Sequence, residues 1–546
     1  MDTGSVTAQD HLRKAIGDEI KVSEQVTREL KYHWNSLAPI SRLPSETFVE
    51  IFSLLSFSPG DEEPVPYLEW ICVTHVCHRW REVALCSPHL WNHINLTKLT
   101  VAGFTEILAR AKMSPLHIEA KINPRSKALF NVFRGQLEAH ISHTRHLSIS
   151  GKFQTLLKRL VSPAPALVSL SLTNLSRSDR SPQLVIPDSL SNGTAPNLTR
   201  LELFCCSIGW KSPLLKGLQT LKIQTSSESA QAILTLEDWL AALNEMSQLK
   251  KLVLHNATPV VSVDDPLISE PQRAITLPSL TYFDIAASAK GCALALAHLV
   301  LPALISLRVV VESESRGGDD VRLALPYIAR NTHGPQDQAP LQTIAFNVEE
   351  NLAQIIVWTV PDAEVEACDV VTLMKAAVSS RLVLCVTSDT DSGWLDGTEI
   401  VIFDAMLSHL PLNAISTLSA WHDTQLSKEV WLSHAPKLIM LNRALLVSTA
   451  VRAFKEMLEE DVPPDGLPRL PRLTKLILSK VYLTAGTTHD LRDMLIKRKE
   501  HGAPLDVLDL RTCLGNERAI ELLSETVGTV QGPTTHRLPA FFDWES

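Results

Sequence analysis

The chain has 546 residues, 45% hydrophobic and 20% charged, with a mean hydropathy of +0.06. These values exclude intrinsic disorder as its main state, and the length calls for several domains or one extended repeat array. A net charge of −9 supplies no general field for a phosphate backbone, so nucleic acid is not expected as a partner.

Met1 to Lys14 is polar and lacks the apolar run of a signal peptide, so an intracellular protein of the cytoplasm or nucleus with reduced cysteines is expected. Leu12, Ile16, Ile20, Val22, Val26, Leu30, Trp34 and Leu37 fall on one stripe, roughly 160° wide at helical spacing. Residues 8–36 therefore read as an amphipathic helix, assigned to an N-terminal segment 1–37. The stripe lacks a clean heptad, so packing against the chain's own next domain is expected over a coiled coil with a second copy.

A second block opens at Ala38-Pro39-Ile40-Ser41-Arg42-Leu43-Pro44. Pro44 suits a first helical position and Glu46 the positive end of a helix dipole. Phe48, Ile51, Phe52 and Leu55 follow at i, i+3, i+4 and i+7, which predicts a helix with one apolar face. An acidic, Pro- and Gly-containing stretch, Ser58 to Pro64, interrupts the pattern. A second helix is predicted from Tyr67 through Val76 and Trp80 to Ala84, and Ser87-Pro88-His89-Leu90-Trp91 closes the block.

Leu43-Pro44-Ser45-Glu46, Phe48 to Leu55, Val76-Cys77-His78-Arg79-Trp80-Arg81 and Pro88-His89-Leu90-Trp91 occur in the order of the F-box pattern. Residues 38–97 resemble that family, particularly the versions abundant in mushroom-forming fungi. The long Ser56 to Glu69 connection departs from the pattern. The resemblance implies that the Leu-Pro turn and the apolar face of the first helix enter a groove on a Skp-family adaptor. A cullin scaffold bound to that adaptor would then bring a ubiquitin-conjugating enzyme. Leu43, Pro44, Phe48, Ile51, Phe52 and Val76 are the candidate contacts, whereas Trp80 and Trp91 are expected to lock the helices together.

From Leu116 onward the phrase L-x-x-L-x-L or a close variant recurs, for example at Leu201/Leu203, Leu252/Leu254, Leu476/Leu478 and Leu508/Leu510. Phrases starting at Leu167, Leu198, Leu218, Leu249, Leu280 and Leu304 lie 31, 20, 31, 31 and 24 residues apart, near solenoid length. Helical patterns such as Leu236 to Met246 and Leu491 to Lys499 fall between phrases. The expected fold is therefore mixed α and α/β: an N-terminal helix and small helical F-box, then a leucine-rich-repeat-like α/β solenoid or horseshoe over 98–530. Its curved parallel sheet should bury the leucines and leave the intervening positions on an open face. Residues 350–435 are expected to be irregular, and 531–546 form a tail. Cys206 and Cys513, eight residues after their first leucines, are expected to serve the turn after the strand.

On the open face, Arg200, Glu202, Lys251, His255, Tyr282, Asp284, Arg308, Lys475, Asp509 and Arg511 are the candidate target-binding positions. Their mixed charge favours a protein target. The longest apolar stretch, Cys292 to Leu307, is too short and too interrupted by His298 and Pro302 to span a membrane, so a buried helix followed by a buried strand is expected.

His140, His143 and His146 have no partner at a zinc spacing, and Asp389 to Glu399 fails the register of a calcium loop. No phosphate-binding loop, nucleophile elbow or H-E-x-x-H motif is present. No metal or cofactor is expected, and no enzyme. The alternatives are an interaction scaffold that recruits no ligase, or an activity hidden in 350–435.

Overall fold

The computed structural model describes residues 3–56, 67–122, 127–158, 160–175, 184–188, 190, 195–225, 235–259, 274–315, 317–332, 339–349, 352–360, 380–388, 397–421, 426–460, 468–515 and 517–532. The Ser58 to Pro64 stretch, the Asp389 to Asp396 part of the calcium-like loop and residues 533–546 of the tail lie outside them. The chain divides into two compact units, Met1–Asp179 with Pro187–Leu198, and Arg180–Ile186 with Thr199–Ser546.

The first unit opens with α1 (Thr3–Ser36), longer at its N-terminus than the sequence pattern suggests. Its stripe does not pack on the chain as expected. Leu12, Ile16, Ile20, Leu30 and Trp34 are all exposed. Among the described residues, contacts fall toward the helix end, where Tyr32 meets His78 edge-on at 5.6 Å and the Ser41 hydroxyl donates to the Asn35 carbonyl.

α2 (Ser45–Ser56) forms as expected. The predicted second helix is broken in two: a 3-10 segment, Glu69–His75, and α3 (His78–Cys86). Cys77 between them is fully extended, at φ −157° and ψ 170°. The β-branched Val73, Thr74 and Val76 resist continuous helix at this point.

β1 (His93–Asn95), α4 (Val101–Ala111), β2 (Leu116–Lys121), α5 (Lys127–His140), β3 (Thr144–Gly151) and β4 (Ser169–Asn174) follow. The strands pair in parallel, with the helices as crossovers. Ile94, Ile118, Leu147 and Leu170 align in one buried row.

In the second unit, β5 (Leu184–Ile186) pairs with β7 (Cys206–Ile208) in a small side sheet, as do β10 (Ile275–Thr276) and β12 (Leu299–Val300). The main ladder runs β6 (Arg200–Phe204), β8 (Thr220–Gln224), β9 (Lys251–His255), β11 (Tyr282–Ser288) and β13 (Ser306–Ser313), all parallel. It continues through β16 (Leu382–Ser388), β15 (Leu352–Trp358), β14 (Thr343–Glu349), β17 (Thr417–Ala420), β18 (Arg443–Val447), β19 (Lys475–Tyr482), β20 (Val507–Leu514) and β21 (Thr529–Gln531). β15 is antiparallel to both neighbours, so the sheet is parallel-rich rather than wholly parallel. This inserted strand falls where the leucine phrases fade.

Register explains the phrases. Leu201, Leu221, Leu252, Phe283, Leu307 and Leu382 form one row across the ladder, and Leu203, Ile223, Leu254, Ile285, Val309 and Leu384 form the next. All twelve are buried. Beyond the insertion, Ile344, Leu418, Ala444, Leu476 and Leu508 continue in the same way.

Strand ends repeat a turn: Cys205, Asn256 and Ser448 each take φ 51°, and their N–H groups donate to Gln224, Ala286 and Ser479 on the adjacent strand. Cys206 is buried just past the turn that follows β6, as expected, whereas Cys513 lies inside β20 rather than in the turn after it, and its buried thiol donates to the Leu478 carbonyl at 3.2 Å. Burial pushes the Cys513 thiol pKa up to about 11.

Cys292 to Leu307 resolves into the helix Ala289–His298, β12 and the start of β13. Every residue of that helix except Lys290 is buried, and Gly291 allows close approach because a Cβ there would lie 2.8 Å from the Thr258 hydroxyl. No helix among the described residues is long and apolar enough to cross a membrane.

One expectation fails over β14 to β19. Intervening positions there, among them Ala345, Ile356, Trp358, Val383, Leu445 and Ile477, form a second buried apolar cluster with Trp421. These strands carry apolar residues on both faces and are closed on both, as in a doubly covered parallel sheet.

Candidate protein-docking surfaces

The helical block is held by an aromatic core. Trp80 on α3 packs against Phe48 and Phe52 on α2, with ring centroids 5.5 and 5.3 Å away. Trp91 donates its indole N–H to the Ala84 carbonyl at 2.8 Å and meets Trp70 edge-on at 4.9 Å. Arg110 of α4 lies 4.4 Å over the Trp91 ring. Both tryptophans therefore lock the block, as the sequence implied. Arg79 is placed by the same helix: it lies 5.2 Å from the Phe48 ring centroid and donates to the Leu43 carbonyl at 2.6 Å, which pins the Leu43-Pro44 turn at the head of α2.

This packing splits the expected contacts. Phe48 and Phe52 are completely buried and cannot reach a partner, because Trp80 claims that side of α2. Pro44 is exposed, Leu43 is half-buried, and Ile51 and Val76 are 37% and 58% exposed. Leu54, missed in the sequence, is 75% exposed, and Leu55, read on the apolar face but not among the candidate contacts, is 49% exposed. At 100° per residue, Ile51 and Leu55 flank Phe48 and Leu54 lies about 120° from it, so the exposed residues border the aromatic core along α2, with Pro44 just before the helix. The available signal was that α2 is apolar around more than the face an internal core uses.

Residues 40–97 match the F-box-like family. The F-box-like domain thus spans the Leu-Pro turn, α2, the 3-10 segment, α3 and β1. Curated proteins yield no match to the chain. Among solved structures, the crystal structure of the TLR13–ssRNA13 complex aligns at 13% identity and a TM-score of 0.30. That alignment covers 81% of this chain and 48% of that one, so the chain spans about half its length.

The second surface lies on β6 to β13, where intervening positions stay partly open. Lys222 lies 4.7 Å over Phe204, and Lys251 lies 4.6 Å over Tyr282. His255 bridges Gln224 (Nδ1, 2.7 Å) and Asp284 (Nε2, 2.9 Å), and the Tyr282 hydroxyl donates to Asp284 at 3.3 Å. A neutral imidazole protonated on Nε2 satisfies both of its partners. Burial, then the Asp284 charge, pushes the Tyr282 phenol above its ordinary pKa.

The ten candidate positions do not all face solvent. Asp284 and Asp509 are buried, at 8% and 2%. Asp509 accepts from the Arg511 guanidinium at 2.7 Å and its backbone N–H at 3.1 Å; burial opposes the charge, but these bonds hold the carboxyl below its usual pKa. Both aspartates are supports beneath the surface, because their neighbours satisfy them within the sheet. Arg200, Lys251 and Arg511 are exposed, while Glu202, His255, Tyr282, Arg308 and Lys475 are half-buried. Register brings Lys251 beside Tyr282 and Asp284 beside Arg308. Lys475, Asp509 and Arg511 form a separate group on β19 and β20.

Sequence reading missed a histidine ladder in the first unit. His93, His117 and His146 stand side by side on β1, β2 and β3, with stacked rings 4.4 and 4.2 Å apart. Burial, then its histidine neighbours, lowers the His117 pKa to about 4, and His93 is lowered for the same reasons. His146 is thus separated from His140 and His143, which approach each other at 3.3 Å. Among the described residues no group of three or more His, Cys, Asp or Glu could hold a metal ion.

Proposed function

We propose that the protein is the substrate-recognition adaptor of a Skp-cullin-F-box type ubiquitin ligase, not an enzyme. The carrying observation is that Phe48 and Phe52 on α2 complete a closed aromatic core, while Pro44, Ile51, Leu54 and Leu55 remain apolar and open to water within the segment that matches the F-box-like family. Such a face suits a helix-in-groove contact with a Skp-family adaptor, through which a cullin would be reached in the cytoplasm or nucleus.

The stacked leucine rows and recurring strand-end turns support reading the later strands as a leucine-rich-repeat-like solenoid, a horseshoe whose open face takes a protein target.

Purified full-length protein titrated against a Skp-family adaptor tests the reading. Submicromolar binding that Leu43→Ala with Pro44→Ala abolishes, and Leu54→Asp with Leu55→Asp also abolishes, supports it. Absence of binding by the wild type overturns the ligase assignment and leaves the scaffold or an activity in 350–435.

A further inference from the structure

α1 carries an apolar stripe that the rest of the chain leaves in water: Leu12 is 62% exposed, Ile16 49%, Val26 50% and Leu30 66%. An isolated helix in water gains most of its stability from packing such a stripe, so the stripe calls for an occupant. Its internal pattern says which one.

Laid on the 3.5-residue period of a two-helix seam, Leu12, Ile16, Val26 and Leu30 take inward positions, and Glu19 and Ser23 take the two between them. Two copies can meet in two ways. Parallel pairing in register sets each residue against itself, which places Glu19 against Glu19 inside the seam, where like charges repel. Antiparallel pairing sets residues equidistant from Lys21 opposite each other. Leu12 then meets Leu30, Ile16 meets Val26, and the Glu19 carboxylate faces the Ser23 hydroxyl, a donor it can accept from.

The polar interruption that spoils a parallel heptad is thus self-complementary in the antiparallel one. Ile20 and Val22, 54% and 64% exposed, flank the seam on either side and widen it. Lys21 lies on the far face, where it pairs with Asp18 at 3.2 Å.

We propose that the occupant of this stripe is a second copy of the chain, bound as an antiparallel two-helix coiled coil centred on Lys21. The pairing leaves the F-box-like domains at opposite ends of a helical pair roughly 50 Å long. It does not depend on adaptor binding.

Sedimentation equilibrium of the full-length chain tests the proposal. The wild type is expected to be a dimer. Ser23→Lys faces Glu19 twice per dimer in the antiparallel arrangement and should tighten it about tenfold, whereas Ser23→Glu should loosen it by a similar factor. Ile16→Asp with Leu30→Asp should give a monomer that still unfolds cooperatively, because both residues are exposed in the single chain, with a melting temperature that no longer depends on protein concentration. A monomeric wild type, a dimer that survives Ile16→Asp with Leu30→Asp, or a dimer loosened by Ser23→Lys, as a parallel pair would be, overturns it. So does a stripe that is covered only when a Skp-family adaptor is added.

Discussion

The Arg79 guanidinium donates to the Leu43 carbonyl at 2.6 Å while covering the Phe48 ring, so one side chain ties the exposed turn to the buried face of α2. Removing it should loosen the turn and uncover the ring. Arg79→Ala is expected to destabilise the F-box-like domain by about 2 kcal/mol and to weaken adaptor binding together with it. Leu54→Asp should weaken binding with no loss of melting temperature, since Leu54 is 75% exposed. Calorimetric melting beside a binding titration separates the two effects.

The histidine ladder predicts acid sensitivity of the first unit. His93 and His117 have folded pKa values below the ordinary 6.5, His117 at about 4, so the unfolded chain takes up protons first as pH falls. Their contribution is fully present above about pH 6.5 and declines toward pH 4. His117→Phe keeps a stacked ring but removes one titrating site, and should make stability fall less steeply across that window. Urea denaturation at a series of pH values reads the slope; an unchanged slope counts against the ladder.

Arg381, 5% exposed, donates to the carbonyls of Leu304, Asn331 and Thr332, the last two at 3.1 and 3.2 Å at the end of the helix Leu325–Thr332. A cation at a helix C-terminus satisfies acceptors that the helix itself leaves unpaired. Arg381→Met should leave those buried carbonyls without their donor and cost about 3 kcal/mol in denaturant unfolding.

The leucine phrases were legible because a strand alternates sides every residue, so a run such as Leu201-Glu202-Leu203 states which side is buried before any partner is known. Helix α2 was only half legible. Phe48, Phe52, Leu54 and Leu55 are all apolar, and which of them face inward is decided by where Trp80 arrives from α3, a contact that the local pattern does not encode. The ladder was invisible for a similar reason: His93, His117 and His146 are remote in sequence and meet only through strand register. Over β14 to β19 both faces are apolar, so alternation could not mark an open side, and the expected exposure there failed.

The remaining prediction concerns target capture. With Asp284 and Asp509 buried under their partners, the outward charge on this face comes mainly from cations: Lys251 over Tyr282, Arg308 next along the row from Asp284, and Lys475 beside Asp509. A protein target matched to these positions would present carboxylates there. Reversing all three, Lys251→Glu with Arg308→Glu and Lys475→Glu, should slow association and weaken target capture by tenfold or more, while adaptor binding through α2 stays unchanged. Asp509→Asn is the counterpart that acts from beneath: it removes charge from a buried site and should lower the melting temperature more than it lowers capture. If the triple reversal reduces adaptor binding as much as target capture, or changes neither, the cationic positions are solvated strand residues and the target lies elsewhere.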